Sequence, residues 1–130
     1  MLGSIAHVAL IVRDPARTAG LLRDLFDGPI IRRRDADGYD ETFVRLGTTW
    51  FALVSARAKR EPTGDHIAFR VAPEDIPAFA DKLKSKGWEF ALSKSGTSLY
   101  FFDFDNHIFE LDSSDLAQEL DDLAASSGSI

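Results

Sequence analysis

The chain has 130 residues, a net charge of −6 and no cysteine. That length suits one ordinary domain with a real core, and the missing thiols exclude disulfides, thiolate metal ligands and cysteine nucleophiles. The acidic balance argues against a nucleic-acid surface, which needs clustered Lys and Arg, and no stretch approaches the roughly 20 apolar residues of a membrane span. The one basic run, Arg32-Arg33-Arg34, lies beside Asp35, Asp37 and Asp40 and reads as a solvated, self-neutralised loop. With no leader-like opening, a cytoplasmic protein is expected.

Residues 5–12 are β-rich and end at Asp14-Pro15, where Asp suits a helix N-cap and Pro the first helical position. A helix is predicted to about Phe26, with Leu21, Leu22, Leu25 and Phe26 on one side and Gly28 as a left-handed stop. Extended segments follow near 29–34, 41–46 and 49–55, with turn signals at Asp37-Gly38 and Gly47. After a polar linker over 56–64, residues 65–71 read as a strand and 73–86 as an amphipathic helix stopped by Gly87. Strands are predicted at 88–92, 98–104 and 107–112, with a hairpin turn at Asp103-Phe104-Asp105-Asn106. Asp115 is expected to cap a last helix carrying Leu116, Leu120 and Leu123.

The second half repeats the first. An offset of 59 residues brings His7 onto His66, Ala9 onto Ala68, Val12 onto Val71 and Gly28 onto Gly87. The expected architecture is an α+β domain over 1–125. It contains two βαβββ repeats, about 4–55 and 64–112, forming a cupped mixed sheet. A C-terminal helix at about 115–124 and a disordered tail at 126–130 complete it.

Strand residues alternate faces, so His7 shares a face with Ala9 and Ile11, and His66 with Ala68 and Arg70. Two imidazoles at repeat-equivalent positions point to convergence on one site. Glu110 is the only acid within the apolar run 108–111, where an unpaired carboxylate would be costly to bury. The same offset relates it to Phe51, which cannot coordinate, so the first repeat contributes one ligand and the second two. His7, His66 and Glu110 form a two-His, one-carboxylate set that suits Mn(II), Fe(II) or Zn(II) and leaves open positions for substrate oxygens. His107, of opposite strand parity, is assigned a structural or supporting role. The loop 103–106 lacks the Gly and distal Glu of a calcium loop and is read as a turn.

The opening around His7, the strand Asp65-His66-Ile67-Ala68-Phe69 and above all the run Ser98-Leu99-Tyr100-Phe101-Phe102-Asp103-Phe104-Asp105-Asn106-His107-Ile108-Phe109-Glu110-Leu111 resemble the vicinal oxygen chelate superfamily. Within it the chain is most similar to fosfomycin-resistance proteins of the FosX type, from about residue 4 to 120. The resemblance implies a homodimer whose sites are shared between subunits, with His7, His66 and Glu110 on a divalent ion, Mn(II) favoured. It also implies water addition to an epoxide with Glu41 as general base, because Glu41, Gly47 and Trp50 keep the family's spacing. Trp50, Ser98 and Tyr100 are its substrate-binding positions, and Lys94 stands ready to replace charge lost elsewhere. Ala9, Thr97 and Glu119 replace a Thr and two Arg that serve the phosphonate in those relatives, which argues against fosfomycin itself. Other chemistries on the same scaffold are an extradiol dioxygenase or a glyoxalase-like isomerase. A non-catalytic protein that sequesters a small ligand is the alternative of a different class.

Overall fold

The computed structural model describes residues 2–58 and 61–127. The chain divides into two compact units, Met1–Asp65 with Phe102–Ile108, and His66–Phe101 with Phe109–Ile130.

The first unit contains β1 (His7–Val12), α1 (Pro15–Phe26), β2 (Ile30–Arg34), β3 (Asp40–Leu46) and β4 (Thr49–Ser55). They form a sheet of order β1-β4-β3-β2, parallel between β1 and β4 and antiparallel elsewhere. Asp14 caps α1, its side chain accepting the Arg17 N–H at 3.1 Å, and Pro15 opens the first turn. The helix buries Thr18, Ala19, Leu21, Leu22 and Leu25 and packs on β3 and β4. Leu10, Val12, Val44, Leu46, Phe51 and Leu53 supply the buried face of the sheet. The alternate residues, among them His7, Ala9, Glu41, Phe43, Arg45 and Trp50, lie on the opposite face and are exposed or half-buried.

Gly28 acts otherwise than expected. The left-handed residue ending α1 is Asp27, at φ 56°, whose N–H reaches the Arg23 carbonyl at 2.7 Å. Gly28 is required because a β-carbon there would collide with the Arg45 backbone carbonyl. Gly87 is the left-handed stop that was anticipated, at φ 65°.

The second unit contains β5 (His66–Arg70), a 3-10 turn (Pro73–Asp75), α2 (Ile76–Ser85), β6 (Ala91–Leu92), β7 (Ser98–Phe102), β8 (Ile108–Asp112) and α3 (Leu116–Ser127), with sheet order β5-β8-β7-β6. The predicted helix over 73–86 is split because Pro77 lacks an N–H and is tolerated only in a first turn. The strand predicted from residue 88 starts only at Ala91. The N–H groups of Gly87 and Trp88 turn back onto the Lys84 and Leu83 carbonyls, both at 2.9 Å, and close α2 instead. Glu119 N–H bonds the Asp115 carbonyl at 2.9 Å, so α3 starts as expected, although the side-chain acceptor for Leu116 N–H is Ser114 Oγ. The helix runs to Ser127, so residues 126 and 127, expected to be disordered, are helical. Residues 128–130 of that tail lie outside the described residues. No described helix is long and apolar enough to cross a membrane.

The architecture is α+β with two βαβββ modules. The 59-residue offset holds for the first strand of each module and slips by one residue in the last. Phe51 faces the helix-side core, and its counterpart by burial is Phe109, which stacks on Phe69 and Phe101. Glu110 therefore has its parity counterpart at the other face of β4, where Trp50 and Ala52 lie, and not at Phe51.

Candidate metal and substrate site

In the second unit β5 and β8 are neighbours, so His66 and Glu110 come together: Nε2 lies 3.2 Å from Oε1. The imidazole is half exposed, whereas the Glu110 side chain is only 11% exposed. Phe109 and Leu111 on either side are drawn into the core, so the intervening residue must face the other way, carrying a carboxylate inward with it. Its second oxygen, Oε2, accepts from the buried Ser98 hydroxyl at 3.2 Å. The Tyr100 ring meets His66 edge-on, centroids 6.4 Å apart. Ser98 and Tyr100, two predicted substrate positions, thus flank the His66 and Glu110 pair. Lys94 does not; it sits in the exposed turn over 93–97.

Beyond Glu110, Asp112 accepts from the Ser114 N–H at 2.8 Å and faces the Ser98 hydroxyl at 3.5 Å. The Ser114 hydroxyl and N–H, aided by Ser98 and the Arg70 charge, hold the Asp112 carboxyl below its ordinary value of 3.8 against the opposing effect of burial.

In the first unit His7 opens β1, exposed and in register with Trp50 on β4, which in turn pairs with Arg45 on β3. Ala6, His7, Ile31, Arg33, Phe43 and Trp50 line an open cavity of about 370 Å³, within the range for small-ligand sites. Glu41, one strand turn from Phe43 on the same face, binds Arg33: Nε to Oε1 is 3.0 Å. Its side chain is 30% exposed. Among the described residues no three His, Asp or Glu side chains cluster closely enough to hold a metal ion. Among the described residues the second unit pairs His66 with Glu110, and His7 belongs to the first unit.

His107 is structural in its contacts. Its Nδ1 meets Asp103 Oδ2 at 2.8 Å, and Asp103 Oδ1 accepts the N–H groups of Asp105 and His107. Asn106, at φ 67°, completes the turn, and Arg13 ties it down through Asp105 Oδ1 at 2.8 Å. Of the three positions at which the resemblance led us to expect altered phosphonate contacts, Ala9 is exposed on β1, Thr97 lies in the 93–97 turn and Glu119 is exposed on α3.

Ile31, Arg33 and Phe43 escaped the sequence reading. The three arginines form no loop: β2 is a strand, so Arg33 shares the cavity face with Glu41 while Arg32 and Arg34 point to the other side. Arg34 does pair with Asp40, at 3.1 Å, as the self-neutralised reading had it. The available signal was period-two alternation against Glu41 on β3.

Residues 4–111 match the model of the Glyoxalase/Bleomycin resistance protein/Dioxygenase superfamily. The chain belongs to that superfamily. Within it, the chain is 31% identical over 128 residues to the fosfomycin resistance protein FosX of Listeria innocua, spanning 92% of this chain and 96% of that protein. It is 30% identical to the glutathione transferase FosA of Serratia marcescens, over 92% of this chain and 87% of that one. A mutant FosX from Listeria monocytogenes, crystallised with Mn(II) and 1S,2S-dihydroxypropylphosphonic acid, superimposes with a TM-score of 0.80 at 31% identity, over 92% of this chain and 99% of the other.

Proposed function

We propose that the chain is a cytoplasmic, divalent-metal-dependent enzyme that adds water to the epoxide of a small oxyanionic substrate, working as a homodimer. The observation that carries the reading is the state of Glu110. It is a nearly buried carboxylate that, among the described residues, is faced by one imidazole and one hydroxyl and by no Lys or Arg. Buried carboxylates require a compensating cation, and nitrogen and oxygen donors on neighbouring strands fit a borderline divalent ion such as Mn(II). His66 and Glu110 would hold that ion together with His7 of a second copy, since among the described residues only His66 and Glu110 of the three donors are in contact. The relatives support the choice of reaction: a FosX structure carries Mn(II) and a vicinal diol phosphonate, and a vicinal diol is what water addition to an epoxide yields.

When bound, the ion would supply Lewis-acid polarisation of the epoxide oxygen. Glu41 takes the proton of the attacking water as its oxygen adds to one ring carbon. The ring C–O bond at that carbon breaks, the released oxygen is protonated from solvent, and a diol results. In the proposed shared site the copy that supplies His7 and Glu41 would also supply the apolar walls Trp50, Phe43 and Ile31, and the other copy Ser98 and Tyr100 beside His66 and Glu110. The altered residues Ala9, Thr97 and Glu119 argue for a substrate other than fosfomycin, or for an anion held by other side chains.

The test is Mn(II) titration of the purified protein followed by an epoxide-consumption assay without thiol. Glu41→Gln is expected to keep Mn(II) affinity and to lose turnover by about 10²-fold or more. Unchanged turnover in Glu41→Gln would remove it as the base. Ligand binding without any consumption would support a sequestering role instead.

A further inference from the structure

The Arg33 guanidinium is committed to Glu41 through Nε alone, at 3.0 Å. No other hydrogen-bond or ion-pair partner of Arg33 exists among the described residues, so the edge carrying its two terminal amino groups is free. Its carbon lies 5.6 Å from the centroid of the Phe43 ring, which holds the fork over the sheet face. Arg33 also lines the cavity that contains His7 and Trp50. A planar fork with one edge fixed by a carboxylate and the other open is the donor geometry that carboxylate and phosphonate oxygens accept in bidentate fashion.

We propose that Arg33 is the anion-recognising residue of this site, its terminal amino groups binding the phosphonate, phosphate or carboxylate of the substrate while Nε keeps Glu41 in place. The role rests on the reading of the cavity as the substrate site. It answers the loss of anion contacts at Ala9, Thr97 and Glu119 by placing the positive charge on β2, in the other unit from Thr97 and Glu119. One side chain thereby sets the distance between the group that marks the substrate and the group that removes the proton. A substrate without an anionic end would leave the fork unsatisfied and would be poorly aligned with Glu41.

The measurement is calorimetric titration of methylphosphonate, which cannot react, into Mn(II)-equilibrated protein, with Mn(II) affinity measured separately. Arg33→Gln is expected to weaken methylphosphonate binding at least tenfold at unchanged Mn(II) affinity, and Arg33→Lys to recover only part of it. Arg34→Gln removes an equal charge on the opposite face and is expected to change binding by less than twofold. With an epoxide substrate, Arg33→Gln should raise KM more than it lowers kcat. Equal methylphosphonate binding in wild type and Arg33→Gln, or equal losses in Arg33→Gln and Arg34→Gln, overturns the role of Arg33 while leaving epoxide opening standing. Arg33-dependent binding in a protein that consumes no epoxide upholds the anion site and overturns the hydrolytic reading.

Discussion

Asp112 ends the strand that carries Glu110, and the lowering of its pKa has a defined sign for stability. A carboxyl whose folded value lies below its unfolded one contributes stability above the unfolded value, near 3.8, and loses it as pH falls through the folded value. Ser114→Ala removes the largest cause of the depression. NMR titration should show the Asp112 carboxyl moving up towards 3.8, and the variant should unfold in acid at a slightly higher pH than wild type. An unmoved titration curve would mean that the residue 114 N–H, with Ser98 and Arg70, holds the carboxylate without the Ser114 hydroxyl. At this scale the sequence was informative where a residue is an exception to its surroundings. Glu110 stands out as an acid in an apolar run, and two histidines stand out by recurring at one offset. Arg33 did not stand out, because one arginine of three acquires a distinct role only when strand parity separates it from its neighbours.

The elements were readable from caps, turns and alternation, and the exceptions have local causes. Pro77 delays α2, the closing turn of that helix consumes Trp88, and α3 continues through Ala124 and Ala125, good helix formers. Gly28 illustrates what a sequence pattern cannot separate: a glycine after a helix reads as a stop, whereas here it permits close approach of the chain to β3. Gly28→Ala is expected to cost roughly 1–3 kcal/mol, the range for forcing extra volume into a packed site. Gly20→Ala, inside α1 with open space around its β position, should gain about 1 kcal/mol from helix propensity. Urea denaturation of the two variants should shift the midpoint in opposite directions; a shift of the same sign would contradict the assignment of Gly28 to a tight approach. The one-residue slip between the modules was hidden for a similar reason, since Phe51 and Glu110 match by count while their side chains face opposite sides of their sheets.

For the molecule as a whole, the shared-site proposal makes a prediction that no single-site variant can mimic. His7→Ala and His66→Ala should each be inactive alone. Co-refolded in equal amounts, they would form mixed dimers in which one site has both lesions and the other none, restoring about one quarter of wild-type activity if assortment is random. Sites completed within one chain would each carry a lesion, and no activity would return. Such a design also turns dilution into a control variable. Among its described residues one copy gathers two donors and not three, so ion retention would depend on how much of the protein is paired. Specific activity would then fall at low enzyme concentration even with excess ion present, and return after a delay on concentrating the sample, at the pace at which subunits meet.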